Sequence, residues 1–332
     1  MTTSSGLVAV VERVRTECAT EALRAECVYD NSRRIAPFDD DRIALPIDAP
    51  PTETPVDAVR EFELPRRERG LEDLLESRGF TDAEIERAPR SWAVLGSVIL
   101  VEFGDCQRRG AVGDALLELH GAAETVLARG GIGGVTRDPD VEVVAGVGDT
   151  ETVHVEHGTE YALDLAEVMF SPGNKAERVR MGEIVDPGER VLDMFAGVGY
   201  FALPMARAGA DVTAVEIDPR SYRLLVENAA RNGVTDRIDA VLGDCRDVTA
   251  AADRVVMGYY DAHEYLDAGL AALEPGGTVH LHEATPEPLF PDRPIERLES
   301  AADHPIELLG SRVVKSHSEG VVHGVVDARL SD

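Results

Sequence analysis

Residues Arg190–Asp218, RVLDMFAGVGYFALPMARAGADVTAVEID, decide the fold of this chain. A short apolar run ends in Asp193, the glycine pair Gly197 and Gly199 follows, an alanine-rich helical segment comes next, and a second apolar run ends in Glu216. This order predicts a strand, a glycine turn, a helix and a second strand with an acidic end.

The glycine turn and the acid after it suit an adenosine. Glycines let backbone N–H groups approach a ligand that a Cβ atom would keep away, and a carboxylate at the next strand tip, Glu216, can accept hydrogen bonds from both ribose hydroxyls. The spacing Gly197-x-Gly199-x-x-Ala202 also satisfies the loose dinucleotide fingerprint, but that match alone is weak.

Two further acids favour S-adenosylmethionine over NAD as the cofactor. Asp193 would repel a pyrophosphate at the end of the first strand, whereas it could pair with the methionine ammonium. The third predicted strand ends in GDCRD, where Asp244 could accept from the adenine amino group. The alternative, that Gly197 and Gly199 serve packing alone, leaves three acids at successive strand tips unexplained.

The composition is strongly acidic. The formal charge is −29, from 62 acidic and 33 basic residues, and only two of the basic residues, Lys175 and Lys315, are lysines. An acid-rich surface that prefers arginine suits a cytoplasm at molar salt, so we expect a halophile. Because the Debye length falls to about 3 Å at 1 M salt, the net charge does not exclude a nucleic-acid partner.

Other function classes lack a signal in this sequence. The four cysteines form no C-x-x-C pair, and His280-x-His282 has no cysteine or carboxylate pattern to complete a metal set, so we expect no metal. The N-terminus shows no secretion signal and no run reaches about 18 apolar residues. These features predict a cytoplasmic protein with no membrane partner.

Ahead of the nucleotide-binding stretch, the sequence predicts both helices and strands, with a strand-like run over Ser91–Phe103. Residues Gly6–Val28 show helical spacing, and the proline-rich, acidic Ala49–Pro65 is typical of a linker. A helical pattern returns over Leu71–Ala88, with Thr81 as an N-cap, and again over Gly113–Arg129.

The chain after residue 160 repeats strand, helix and strand, and the segment around Gly320 predicts a strand pair. We therefore expect an α/β fold with a doubly wound parallel sheet and an antiparallel closing hairpin, preceded by a smaller α+β domain. The predicted boundaries are 1–70 for an N-terminal module with its linker, 71–160 for the α+β domain and 161–332 for the nucleotide-binding domain.

Two segments outside the glycine turn carry candidate binding residues. Arg129 and Arg137 flank a glycine-rich stretch and could contact phosphates, or they could be solvated charges beside a β-turn. Ser171 and Arg178 lie just before the first strand of the sheet and are expected to face the pocket. The planar fork of Arg178 suits a methionine carboxylate.

With these residues in place, the chain from about Trp92 to Leu330 resembles the archaeal tRNA(Phe) 4-demethylwyosine aminocarboxypropyltransferases of the wyosine pathway. That family is related to the tRNA guanosine N1-methyltransferases, which act 3′ of the anticodon. The matching segments keep their order: VLARGGIGGVTRDPD, VHVEHG, FSPGNKAERVRM, LDMFAGVGYFALPMA, AVEIDP, LVENAARN, ADRVVMGYYDAHEYLDAGLAAL and VHLHEATPEPLF.

The tip of the fourth predicted strand separates the two branches. In the methyltransferases it resembles Asn-Leu-Pro, whereas Gly258-Tyr259-Tyr260 is similar to the Gly-Tyr form of the aminocarboxypropyl branch. The resemblance implies a Rossmann-like class I S-adenosylmethionine-dependent methyltransferase fold with a tRNA-binding domain over 71–160. It also implies cofactor contacts at Ser171, Arg178, Glu216, Asp244 and Cys245.

The resemblance implies transfer of a 3-amino-3-carboxypropyl group to a ring carbon of 4-demethylwyosine in the anticodon region of tRNA(Phe), with methylthioadenosine as the other product. Tyr259 or Tyr260 could stack on the flipped base, or merely pack against the following helix. Three alternatives stay open: a guanosine N1-methyltransferase, an NAD-linked oxidoreductase that would lack a hydride-transfer set, and a non-catalytic tRNA-binding protein.

Overall fold

The computed structural model describes residues 3–66, 70–134 and 137–331. The chain divides into two compact units. The first consists of Met1–Pro89 and Phe103–His120, and the second of Arg90–Glu102 and Gly121–Asp332. Within the described residues, no helix is both long enough and apolar enough to cross a membrane.

The first unit combines a small antiparallel sheet with four helices. Its helices are α1 (Thr16–Ala25), α2 (Leu71–Ser77), α3 (Asp82–Glu86) and α4 (Arg109–Leu119). Its strands are β1 (Thr3–Glu12), β2 (Ala36–Pro37), β3 (Arg42–Pro46) and β4 (Ala58–Pro65). They pair in the order β2-β3-β1-β4.

The helix predicted over Gly6–Val28 is wrong in its first half. The central strand β1 lies there, and its consecutive residues Val8, Ala9, Val10 and Val11 are all fully buried. Val8 and Val10 pack into one apolar cluster, and Ala9 and Val11 into another. Because successive side chains of a strand point to opposite faces, burial on both faces produces a continuous apolar run without a period of two.

Two other predicted segments also belong to sheets. The C-terminal part of the predicted linker Ala49–Pro65 forms β4, which pairs with β1 from Thr3↔Pro65 to Val10↔Ala58. The helix predicted over Gly113–Arg129 ends at Leu119, and the chain then enters a strand at Thr125. Leu71–Ala88 is helical as predicted but forms two helices, and Thr81 and Glu84 make the capping box of α3.

The second unit contains the nucleotide-binding sheet. Its helices are α5 (Lys175–Ile184), α6 (Ala202–Ala208), α7 (Pro219–Arg231), α8 (Leu266–Ala271) and α9 (Asp292–Ala301). Its strands are β5 (Trp92–Leu95), β6 (Val98–Val101), β7 (Thr125–Gly133), β8 (Asp138–Gly146), β9 (Glu151–Glu156), β10 (Thr159–Asp164), β11 (Arg190–Asp193), β12 (Asp211–Glu216), β13 (Ile238–Leu242), β14 (Ala252–Met257), β15 (Leu273–Pro286), β16 (Ile306–Ser318) and β17 (Val321–Leu330).

These strands form three sheets. Seven of them pair in the order β13-β12-β11-β14-β15-β17-β16, β5 to β8 form a four-stranded sheet, and β9 and β10 form a hairpin. Strands β11 to β15 pair in parallel, while β17 pairs antiparallel with both β15 and β16. The predicted Rossmann-like sheet with an antiparallel closing hairpin is confirmed. Its order reverses beside β11, where such sheets bind ligands.

A buried ionic network fastens the closing hairpin to the helix before the sheet. Arg312 on β16 pairs through Nη1 with Asp327 Oδ2 at 2.6 Å and also with Glu177 on α5. His280 Nδ1 lies 2.6 Å from Asp327 Oδ1, and Arg180 Nη2 donates to Asp327 Oδ2 at 2.7 Å. His280 and His282 therefore lie on strand β15; His280 belongs to this network, and His282 Nδ1 lies 3.0 Å from His323 Nε2.

Replacing Asp327 by alanine should lower the free energy of unfolding by about 3 kcal/mol, because removing one partner from a buried network leaves the other charges uncompensated. Chemical denaturation at one fixed salt concentration measures this loss. Asp253→Ala removes an exposed carboxylate paired with Arg190, and this matched control should unfold nearly as the parent chain does. Equal losses in the two variants would contradict the assignment.

Candidate functional site

A cleft lies in the second unit at the carboxyl ends of β11, β12, β13 and β14, which is where parallel sheets of this kind bind ligands. It brings together most of the predicted site residues: Arg137, Ser171, Arg178, Gly197, Glu216, Asp244, Cys245, Tyr259 and Tyr260. Three others, Arg129, Asp193 and Gly199, are not among its lining residues.

The glycine turn and the acid at the tip of β12 are bonded to each other. Gly197 N–H donates to Glu216 Oε2 at 2.7 Å, and Asp218 N–H donates to Glu216 Oε1 at 2.7 Å. Gly197 and Gly199 have φ values of 56° and 101°, which strain any residue with a Cβ atom. Each carboxylate oxygen keeps a second lone pair, so Glu216 can still accept from a ribose.

Asp193 lies beneath the glycine turn. Its side chain is fully buried, Oδ1 accepts a hydrogen bond from Phe195 N–H at 3.4 Å, and Oδ2 has no partner among the described residues. Burial, reinforced by the nearby Glu216 charge, raises the pKa of Asp193 to about 7. Asp193 was predicted to contact a ligand ammonium, but in this structure it is buried and does not line the cleft.

The third strand tip provides an acid with a fixed orientation. Asp244 Oδ1 accepts from the backbone N–H of Arg246 at 2.9 Å, and its carboxylate also binds the Arg246 side chain. The Arg246 guanidinium in turn lies 5.0 Å from the ring centroid of Tyr265. Burial raises the pKa of the neighbouring Cys245 thiol to about 11, so the thiol is neutral at the cleft wall.

Arg178 lines the cleft, but its fork is already engaged. Nε and Nη2 donate to Glu156 at 2.8 and 2.9 Å, and Nη1 donates to the Ser171 carbonyl at 3.0 Å. The residue is only 2% exposed. The bidentate geometry that the sequence predicted for a ligand carboxylate is thus taken by Glu156.

The two tyrosines at the tip of β14 have different surroundings. Tyr259 packs against Phe195 and Tyr265, with ring centroids 5.3 and 6.4 Å away. Tyr260 instead lies near two cations: the Arg137 guanidinium is 4.6 Å and the Lys315 ammonium 5.9 Å from its ring centroid. Tyr259 therefore has the contacts expected of a tyrosine that merely packs, while Tyr260 belongs to a cationic part of the cleft.

The two arginines predicted to contact phosphates occupy different places. Arg137, in a left-handed conformation with φ of 57°, lines the cleft. Arg129 lies on β7, and its Nε donates to Glu102 Oε1 at 3.0 Å on the exposed surface. Arg137 is thus close to Tyr260, one of the two tyrosines predicted to stack on the base, whereas Arg129 does not line the cleft.

Sequence reasoning missed two polar residues beside Ser171. Asn174 lines the cleft, and its buried Oδ1 has no hydrogen-bond partner within the described part of the chain. Lys315 on β16 donates from Nζ to Ser171 Oγ at 2.7 Å. The one signal available was that Lys315 is one of only two lysines in an arginine-rich chain.

Comparison with known proteins identifies the family. The model of the TYW2 N-terminal domain matches residues 71–150, and that of the TRM5/TYW2 methyltransferase domain matches residues 152–309. A tRNA(Phe) (4-demethylwyosine(37)-C(7)) aminocarboxypropyltransferase from Pyrococcus horikoshii is 39% identical over 265 residues, which are 76% of this chain and 94% of the relative. The chain belongs to the TRM5/TYW2 family.

Solved structures of TRM5/TYW2 proteins resemble this chain over most of its length. Trm5b from Pyrococcus abyssi superposes with a TM-score of 0.81 at 29% identity, covering 98% of this chain and 99% of that one. TYW2 from P. horikoshii, solved in complex with MeSAdo, gives a TM-score of 0.68 at 35% identity and covers 79% and 98% of the two chains. The family resemblance read from the sequence is therefore confirmed.

The buried carboxyl of Asp193 predicts a pH-dependent penalty on folding. Its folded pKa of about 7 exceeds the usual value of about 3.9, so the folded state holds an extra proton between these values and this group's contribution to stability falls as the pH rises. Asp193→Asn removes that titration and should gain stability relative to the parent chain between about pH 5 and pH 7. Thermal unfolding of both proteins measures the difference; a difference independent of pH would contradict the assignment.

Proposed function

We propose that this chain is an S-adenosylmethionine-dependent transferase that moves a 3-amino-3-carboxypropyl group to C7 of 4-demethylwyosine in the anticodon region of tRNA(Phe). The bond from C7 to the γ-carbon forms as the bond from sulfur to that carbon breaks. The electron pair passes to sulfur, which gives methylthioadenosine, and C7 loses its proton. The observation that carries the proposal is the 39% identity to a named aminocarboxypropyltransferase over 94% of that relative.

The residues of the cleft fit such a donor. Glu216 offers acceptors for ribose hydroxyls, and Asp244 offers one for an adenine amino group. Asn174 Oδ1, which has no hydrogen-bond partner among the described residues, suits an ammonium group. Ser171 and the cationic side chains near it suit a carboxylate. When bound, S-adenosylmethionine supplies an activated sulfonium, so the protein's contribution is mainly to orient the donor and the base.

The tip of β14 supports aminocarboxypropyl transfer. A methyltransferase acting on guanosine N1 would benefit from a carboxylate base and an amide at this place, and Gly258-Tyr259-Tyr260 supplies neither. A Cβ atom on Gly258 would lie 2.8 Å from Phe201, so the tip is packed as glycine. We assign Tyr260 to stacking on the flipped base and Tyr259 to supporting the aromatic wall.

The second candidate is a tRNA guanosine N1-methyltransferase. The likeness to Trm5b, with a TM-score of 0.81 over 98% of this chain, favours it. Both candidates use the same donor and a tRNA acceptor, so they differ in which carbon beside the sulfonium is attacked.

Further parts of the proposal concern the setting of the enzyme. We place tRNA contacts in residues 71–160, catalysis in 161–332, and an N-terminal extension or small module with its linker in 1–70. The charge of −29 with only two lysines supports a salt-rich archaeal cytoplasm as the working environment.

The products of one reaction separate the two candidates. The purified chain is incubated with labelled S-adenosylmethionine and tRNA(Phe) from cells that lack this gene, and the small-molecule products are separated by chromatography. We expect methylthioadenosine together with a tRNA that carries the aminocarboxypropyl label. S-adenosylhomocysteine with a labelled methyl group on the tRNA would overturn the proposal in favour of the methyltransferase.

Arg137 and Arg129 form a matched pair for tRNA binding. Arg137→Ala should weaken tRNA binding by about tenfold, as expected for a lost charge-assisted contact. Arg129→Ala should have a smaller effect, because its side chain is already paired with Glu102. Filter binding measures the tRNA affinities, and S-adenosylmethionine affinity should stay unchanged in both variants. Undiminished tRNA binding by Arg137→Ala would return that residue to the solvated-turn interpretation.

A further inference from the structure

Lys315 contacts the cleft-lining Ser171, and among the described residues it has no acidic partner. Its Nζ donates to the Oγ of Ser171, which lines the cleft. Within residues 3–66, 70–134 and 137–331, no carboxylate forms an ion pair with it. In a chain with 62 acidic residues, an unpaired and half-buried lysine leaves a positive charge available to a ligand.

The fold directs Lys315 towards this place. A register shift between Val313 and Lys315 interrupts the pairing of β16 with β17, and such irregularities re-aim side chains. The lysine stem then passes over the turn before α5, where a Cβ atom on Gly173 would lie 3.1 Å from Lys315 Cδ. A side chain at residue 173 would therefore crowd the lysine.

The serine hydroxyl can relay the effect of this charge. Because Ser171 Oγ accepts a hydrogen bond from the ammonium, its own hydrogen is free to be donated to another acceptor. Asn174 Oδ1, on the same turn, is a buried acceptor with no partner among the described residues. The turn therefore offers the Ser171 hydroxyl, with the Lys315 ammonium beside it, to an α-carboxylate. It offers Asn174 Oδ1 to an α-ammonium.

We propose that Lys315 is the cation that holds the carboxylate of the donor's amino-acid arm, acting together with the Ser171 hydroxyl, while Asn174 accepts from the ammonium. Arg178 was predicted for this role, but its guanidinium is paired with Glu156. It also holds the turn that contains Ser171 through the Ser171 carbonyl. The inference rests on the proposed function only in taking S-adenosylmethionine as the donor.

Three ligands that differ in the carboxylate and the amine of the amino-acid arm test this role of Lys315. S-adenosylhomocysteine has the whole amino-acid arm, its decarboxylated analogue keeps the amine but lacks the carboxylate, and methylthioadenosine lacks both. Calorimetry with Lys315→Met should show S-adenosylhomocysteine binding weakened by about tenfold or more, since a charge-assisted hydrogen bond is lost. The affinities for methylthioadenosine and for the decarboxylated analogue should change by less than about twofold.

Lys175→Met is the matched control. It removes the other lysine of the chain, which is exposed at the start of α5, and all three ligands should keep their affinities. Methylthioadenosine binding also reports whether each variant is folded. If Lys315→Met does not yield folded protein, Lys315→Gln is measured in the same way, and Lys315→Arg should keep most of the affinity for S-adenosylhomocysteine.

Two results would overturn the inference. Equal weakening of S-adenosylhomocysteine and methylthioadenosine would show that Lys315 only supports the shape of the cleft. Unchanged affinity for all three ligands, with weaker tRNA binding, would assign its charge to a phosphate instead. Failure of the proposed function is a separate outcome, because a methyltransferase product would leave the calorimetric difference between the ligands intact.

Discussion

The buried ion pair between Arg178 and Glu156 is the constraint on which the entrance wall of the cleft depends. Two charges out of water are stable only when each has its hydrogen-bonding partners, so this pair fixes the β9–β10 hairpin, the turn containing Ser171 and helix α5 in one arrangement. The cost is that the guanidinium cannot turn to a ligand. A second cation must then neutralise any carboxylate bound there, and β16 brings Lys315 to that place.

Another part of the cleft, at the tips of β12 and β13, is fixed by backbone groups. Glu216 is held by the N–H groups of Gly197 and Asp218, and Asp244 by the N–H group of Arg246, so both acids keep one orientation before a ligand arrives. Side chains locked in this way lose little conformational entropy on binding. The two parts of the cleft therefore differ in charge. Glu216 and Asp244 suit neutral hydroxyl and amino donors, whereas the surroundings of Ser171 are cationic.

The sequence predicted the parts of the site that are local in the chain. The glycine turn, Glu216 and Asp244 follow directly from strand ends, because parallel strands place their carboxyl tips at one edge. Lys315 could not be found in this way, since it lies 144 residues after Ser171 and reaches it through a register shift. Strand β1 was missed because burial on both faces removes the alternation that identifies a strand. Arg178 was assigned correctly to the cleft, but its buried partner Glu156 lies on a separate hairpin.

Strand β16 also has a consequence for how the molecule behaves in a crowded solution. It is one of the two edge strands of the seven-stranded sheet and carries the exposed apolar side chains Leu308, Leu309 and Val313. An edge of this kind would normally invite a strand from another molecule. Three register shifts along β16 break its regular spacing of free N–H and C=O groups. The register shifts on β16, one of which orients Lys315, therefore also make this sheet edge a poor template for aggregation.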